Sequence, residues 1–323
     1  MIRGTGVVLR DALPWHGLQQ IVGTAEETGH QAVFVPEIAG REAFSTLAGL
    51  AGVTSSVRLG SGVVTIRSRR PVTAAMAAAT VQEMSGGRFV LGIGSGTANR
   101  SESASENPVI LVRDYVRMVR AVFSGGQVDA RDASGFALEL RSEGPPPPIW
   151  LGALGDRMVS LAGAEADGVI LNWCTPDRVA RGCDTIRSAA EASGRDPSEV
   201  TVSVYVRACL GLEEDVAMRA LRAATAQYAS IPHYLRQMER MGLGSEGRQA
   251  AAAARAGRPD EVPESLVQAL TVVGGRREWV ARAEAFHRAG ADLVLAYPVP
   301  ALDPVSSILG TIMTAAPSPA LER

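Results

Sequence analysis

Short, nearly continuous apolar runs alternate along this chain with longer stretches whose apolar positions recur every three or four residues. The runs fall at 6–10, 31–36, 57–65, 89–94, 149–152, 167–172, 200–209 and 292–297. Apolar residues at nearly every position, in place of every second one, suit parallel strands buried on both faces. The stretches between them read as helices over 15–28, 41–52, 71–84, 109–123 and 156–166, another ending at 193, and a last one over 279–288. Pro71 sits where a helix start tolerates proline. Within 109–123, Val109, Val112, Tyr115, Val116 and Val119 share one helical face. Residues 125–148 lack a helical pattern and predict an inserted hairpin from 127–129 and 136–140, closed by four prolines. Residues 213–270 predict a helical insertion that walls or lids a cleft, and 292–297 reads as the last strand. Eight strand-like runs in β/α alternation predict one domain over 1–323, a (β/α)8 barrel in preference to an open doubly wound sheet. The dinucleotide-binding fingerprint is missing after the first strand, and Gly92-Ile93-Gly94-Ser95-Gly96 has the wrong spacing for it.

Composition narrows the function. Hydrophobic residues make up 46% of the 323 and charged residues 20%, which excludes a disordered or fibrous chain. A net charge of −2 supplies no positive field for nucleic acid or an anionic membrane. All the basic residues are arginine, so lysine chemistry is excluded. Three cysteines, an odd number without metal-ligand spacing, predict a reducing, cytoplasmic setting. No apolar run reaches the ~20 residues of a membrane helix, and the N-terminus runs almost at once into a strand without a leader pattern. The four histidines are scattered, so a multi-histidine metal site is not expected.

In such a barrel the chemistry lies at the C-terminal ends of the strands. Those ends offer backbone, small residues and a few arginines, with little acid/base machinery, a profile suited to a cofactor that carries the chemistry itself. Gly60 and Gly62 interrupt the third run, marking either a bulge or close ligand approach, or tight packing against a helix. Ser95, Gly96 and Thr97 follow the fourth run, either as ligand-facing small and hydroxyl groups or as an ordinary turn. Gly152, Ala153, Leu154 and Gly155 lead into a helix whose free N–H groups suit an anion, with Asp156 as the alternative N-cap.

These three places, in this order, resemble the bacterial luciferase-like flavin and deazaflavin oxidoreductases. The core of the resemblance runs from Val57-Arg58-Leu59-Gly60-Ser61-Gly62-Val63-Val64 through Arg69-Arg70-Pro71 to Met84-Ser85-Gly86-Gly87-Arg88-Phe89-Val90-Leu91-Gly92-Ile93-Gly94-Ser95-Gly96. Leu161 to Gly168, Gly194-Arg195-Asp196-Pro197, Gly274-Gly275 and Ala289-Gly290-Ala291-Asp292 extend it over nearly the whole chain. The segment Val35-Pro36-Glu37-Ile38-Ala39-Gly40-Arg41-Glu42-Ala43-Phe44 is similar to the branch that uses coenzyme F420, with FMN the alternative. The resemblance implies a luciferase-like barrel with a non-prolyl cis peptide at Gly62–Val63 whose bulge supports the deazaflavin ring. Thr65, Ser95, Gly96 and Thr97 would meet the ring or ribityl chain, and Gly152 to Gly155 the chain and phosphate.

Two departures from the family pattern bear on the reaction. Several deazaflavin members carry an Asp-His pair where this chain has Glu37-Ile38, and sugar-phosphate dehydrogenases carry a Glu where it has Thr97. Lacking that base, the chain is expected to reduce an activated C=C or C=N of a small substrate using reduced F420, rather than to oxidise an alcohol. Glu37 is the acid/base candidate or else an arginine-paired structural residue. Arg69 is read as a helix-start residue or a substrate contact, Trp173 and His233 as substrate wall or core, and Cys174 as buried or pocket-facing. A homodimer served by a separate F420- or flavin-reducing enzyme is implied. The alternatives are an FMN-dependent two-component monooxygenase and a non-catalytic flavin-binding protein.

Overall fold

The computed structural model describes residues 4–10, 12–96, 107–125, 128–130, 133–140 and 144–317. The chain begins with β1 (Gly4–Val8), α1 (Trp15–Glu27), β2 (Ala32–Val35), α2 (Ala43–Ala51) and β3 (Arg58–Ser61). It continues through β4 (Val64–Thr65), α3 (Pro71–Met84), β5 (Phe89–Gly94) and α4 (Pro108–Phe123). A small antiparallel pair, β6 (Val128–Ala130) and β7 (Ala133–Phe136), precedes β8 (Ile149–Ala153), α5 (Asp156–Glu165), β9 (Gly168–Asn172), α6 (Pro176–Ala192) and β10 (Thr201–Leu210). Four helices follow: α7 (Glu214–Ala229), α8 (Pro232–Arg240), α9 (Gly244–Arg255) and α10 (Glu264–Leu270). The chain closes with β11 (Thr271–Gly274), α11 (Arg276–Arg288), β12 (Leu293–Pro298) and α12 (Pro304–Thr314).

Parallel pairing runs β12–β1–β2–β3–β5–β8–β9–β10 and returns from β10 to β12, which closes an eight-stranded (β/α)8 barrel. The strands are buried on both faces because helices cover the outside and side chains fill the inside. Outward positions such as Phe89, Leu91 and Ile93 join the large core beneath the helices. Inward positions form a separate aromatic core of Phe34, Trp150, Tyr205 and Tyr297 with Val8, Val90, Ile170 and Leu295. Phe34 stacks on Trp150 at 5.4 Å between ring centroids, and a Cβ on Gly60 would collide with the Phe34 ring. Gly60 therefore packs against a barrel aromatic, not against a neighbouring helix.

Four local readings are corrected. The third run is not one strand, because it breaks after Ser61 and resumes at Val64. The second hairpin strand is Ala133–Phe136, not 136–140. The last helix is α12, not 279–288. Its Ser307, Ile308, Thr311 and Ile312 are buried, and the Thr311 hydroxyl accepts the Leu210 N–H at 3.1 Å. Asp156 is not the N-cap of α5. That position belongs to Gly155. Strand β11, which extends the C-terminal half of β10 outside the closed ring, carries no separate sequence signal after the α10 pattern.

Candidate active site

The break between β3 and β4 sits at the C-terminal mouth of the barrel, and the Gly62–Val63 peptide bond there is cis. Gly62 N–H donates to the Val35 carbonyl at 2.8 Å. The buried Ser61 hydroxyl donates to the Gly92 carbonyl at 3.0 Å and accepts from the Gly92 N–H at 2.9 Å. These bonds fasten the bulge to both neighbouring strands. Close approach dictates the glycines around it: a Cβ on Gly92 would overlap the Ser61 carbonyl, and one on Gly94 would meet Val63 at 2.5 Å. A Cβ on Gly62 would overlap the Tyr205 hydroxyl, and one on Gly152 of β8 would meet Val63 at 3.2 Å across β5. The result is a glycine-lined floor around one half-buried valine, bordered by Thr65, the half-buried Ser95 and Gly96, which has φ +67°. Thr97 lies outside the described residues.

Beside this floor, β8 ends at Ala153 and Leu154 leads into α5, whose N-cap Gly155 offers no side-chain cap. The first-turn N–H groups of such a helix suit an anionic oxygen. Arg178, buried at the start of α6, donates to the Leu154 carbonyl at 3.0 Å and pairs with Asp156 at 2.8 Å. The Arg240 guanidinium of α8 approaches to 3.7 Å of where a Gly155 Cβ would stand.

Glu37 is the carboxylate of a clamp between loops. Arg69 donates to both of its oxygens, at 2.7 and 2.5 Å, and also binds Glu42. Ala43 N–H donates to Glu37 at 3.0 Å and the Ser68 hydroxyl at 3.4 Å. Both oxygens are thus engaged, and Arg69 ties the β2–α2 loop to the β4–α3 loop. Arg70 occupies the N-cap position of α3, without a side-chain cap bond.

The opposite side of the mouth is roofed by the helical segment. Trp173 follows β9 with φ +51°, is 2% exposed, and packs 4.8 Å from the Tyr228 ring. His233 of α8 is half-buried against Tyr234 at 4.7 Å. Burial, with Arg236 nearby, lowers its imidazole from the ordinary range. Cys174 is buried, and burial pushes its thiol up to about 12, an inert state. Gln237 donates to the Asn172 carbonyl at 2.9 Å and binds the Cys174 sulfur. Between these groups lies Arg207, on the inward face of β10. Its signal was a lone charge inside the apolar run 200–209, which strand reading passes over. A cavity of about 290 Å³ between α7, α8 and α9 is lined by Pro232, Leu235, Arg236 and Glu239 and includes none of the strand-end residues. Among the described residues no group of three or more His, Cys, Asp or Glu could hold a metal. No helix among them is long and apolar enough to cross a membrane.

A closed parallel barrel with a glycine-lined bulge after its third strand defines a (β/α)8 protein whose site lies at the strand C-termini. The family model described as luciferase-like monooxygenase matches residues 3–293, and the chain belongs to that family. It is 32% identical over 213 residues to a 5,10-methylenetetrahydromethanopterin reductase of Methanolobus tindarius, covering 64% of each chain. It is also 32% identical over 223 residues to a phthiodiolone/phenolphthiodiolone dimycocerosates ketoreductase of Mycobacterium tuberculosis, covering 65% of this chain and 58% of the relative. The chain thus spans somewhat less than two thirds of the length of these relatives. Among solved structures, a coenzyme F420-dependent tetrahydromethanopterin reductase of Methanopyrus kandleri superposes with a TM-score of 0.82 at 20% identity. That match covers 97% of this chain and 98% of the other. An F420-dependent secondary alcohol dehydrogenase with an F420–acetone adduct gives 0.78 at 16% identity, over 99% of each chain.

Proposed function

We propose that this chain is a coenzyme F420-dependent oxidoreductase that reduces an activated C=C or C=N of a small organic substrate. The observation that carries this reading is the pairing of a glycine-lined backbone floor with an uncapped helix N-terminus beside it. A planar ring needs the first, and a phosphate-bearing side chain needs the second. The relatives that are named as methanopterin reductases and F420-dependent enzymes support it.

The residues fit such a group. Gly62, Val63, Thr65, Ser95 and Gly96 would hold the ring, with Thr97 next in sequence. Gly152, Ala153, Leu154 and Gly155 would hold the phosphate-bearing chain, with Arg240 supplying charge. When bound, F420 supplies a hydride at its deazaflavin ring. The chain's own contribution is orientation and a dry mouth, in which Trp173, Tyr228 and Tyr234 exclude water. Glu37 offers no free oxygen to a substrate, and its ion pair with Arg69 positions the loop that edges the floor. An alcohol would need a free base at its hydroxyl, and on that loop Glu37 and Glu42 are both held by Arg69, so reduction is the favoured direction. In this reading the protein works in the cytoplasm as a homodimer, served by a separate F420-reducing enzyme.

The test is a fluorescence titration of the apoprotein with F420 and, in parallel, FMN. Saturable binding of F420 with FMN much weaker supports the reading. The reverse preference overturns it in favour of an oxygen-dependent, FMN-fed monooxygenase.

A further inference from the structure

Arg207 is a buried cation that the described residues leave without a counter-ion. It is 3% exposed, and no ion pair among the described residues includes it. Nη1 donates to the Asn172 side-chain carbonyl at 2.5 Å, while Nη2 is buried with no hydrogen-bond partner. Three aromatic faces surround the guanidinium: Tyr297 at 3.8 Å, and Trp173 and Tyr228 each at 4.9 Å. Cation–π contact offsets part of the lost hydration, but it satisfies no N–H donor. Burying a charge and leaving a donor unmade is costly, so a fold that keeps one calls for an explanation.

The place of Arg207 says which ligand. On β10 it follows Tyr205 by two residues and shares its inward face, and Tyr205 lies against Gly62 of the bulge. Arg207 therefore stands one layer nearer the mouth, two strands round the barrel from β8, which leads into the α5 cradle. Its frame is rigid. The Asn172 amide that accepts from it is itself held by donation to the Tyr234 hydroxyl at 3.1 Å, and the Asn172 carbonyl by Gln237. A planar guanidinium with a free Nη2 and a pre-set neighbour matches a carboxylate, which accepts from such a fork.

We infer that Arg207 is a substrate-binding residue and that the substrate carries a carboxylate. This rests on the reading of the mouth as a hydride-transfer site and narrows its substrate class to acids. The test is calorimetric titration of the apoprotein with acetate and benzoate against acetamide and benzamide at matched ionic strength. The wild type is expected to bind a carboxylate and to bind its amide roughly tenfold more weakly or worse, the scale of a lost charged hydrogen bond. Arg207→Met is expected to lose carboxylate binding while melting no lower than the wild type, because a buried unpaired charge gives way to an apolar side chain of similar length. Arg207→Lys, which keeps the charge without the fork, is expected to fall between them. In Arg240→Gln carboxylate affinity is expected to stay at the wild-type value. Failure of the wild type to prefer the carboxylates, or undiminished binding in Arg207→Met or Arg207→Lys, overturns the assignment. So does a carboxylate response that follows Arg240, which would place the anion on the cofactor cradle. A wild type that binds carboxylates but not F420 leaves Arg207 as an anion site and overturns the cofactor reading alone.

Discussion

The two ends of the barrel treat polar groups in opposite ways. At the N-terminal end, Glu26 accepts the N–H groups of Ser55, Ser56 and Val57, at 2.6–3.2 Å. Arg88 donates to the carbonyls of Ser85, Val57, Thr54 and Ala51 and to the Thr54 hydroxyl. Asp167 and Asp292 accept from Ile149 and Val202 at the starts of their strands. At the C-terminal end, the Tyr205 hydroxyl, Arg207 Nη2, Gln237 Oε1 and Trp173 Nε1 are buried without partners. The contrast has exceptions, since Thr5 Oγ1 and His30 Nδ1 are also unpaired below. Its lesson holds nonetheless: one end spends its hydrogen bonds on stability, and the other leaves buried groups unpaired at the end where such barrels generally carry their sites.

The most severe way to break the N-terminal half is Arg88→Ala, which strips several carbonyls of a charged donor at once. A loss of about 3 kcal/mol is expected in urea unfolding, with F420 affinity of the folded protein unchanged.

Next comes acid. Burial is the largest cause holding the His30 imidazole down at about 4, against the opposing bond to the Ile312 carbonyl. In the unfolded chain it returns to 6.5, so between these values the unfolded state binds more protons. Stability is therefore complete above pH 6.5 and falls by roughly 3 kcal/mol as pH drops to about 4, judged from the size of the shift. Glu26 adds to the loss lower down. Burial alone would raise it, but the amides of Val57, Ser56 and Ser55 hold it at about 2, so its contribution disappears between 4.5 and 2. Urea midpoints measured against pH check both, and a flat profile between 6.5 and 4 would refute the first.

At the mouth the expected effects fall on binding and leave stability alone. Arg240→Gln should weaken F420 binding roughly tenfold while moving stability by less than about 0.5 kcal/mol, since the side chain is exposed. The smallest effect is expected from Glu37→Gln. It loosens the Arg69 clamp for about 1 kcal/mol of stability and leaves the shape of the pH–rate profile as it was. A lost titrating limb would show that Glu37 exchanges protons with substrate after all.

Much of this architecture is legible in the sequence because buried parallel strands leave an unmistakable mark. Phe89–Gly94 and Pro71–Met84 fall where the apolar run and the N1 proline place them. What escaped was encoded in three dimensions. α12 is built largely from Ser, Gly, Thr and Ile, whose helical preference is weak and whose burial comes from packing on α1 and β10. β11 gains strand character from pairing with β10. In the site, the glycines of the bulge stand out locally, but the reason for each is a neighbour on another strand. Arg207 looks like a blemish in a strand until Trp173, Tyr228 and Tyr297 close around it.

The most direct measurement is hydrogen–deuterium exchange of the protein with and without F420. The account predicts new protection confined to 61–65, 92–96 and 152–158 at the mouth, with the amides around Ser55, Arg88 and Asp292 unchanged. Protection centred on the α7–α9 cavity, or none at saturating F420, would contradict it.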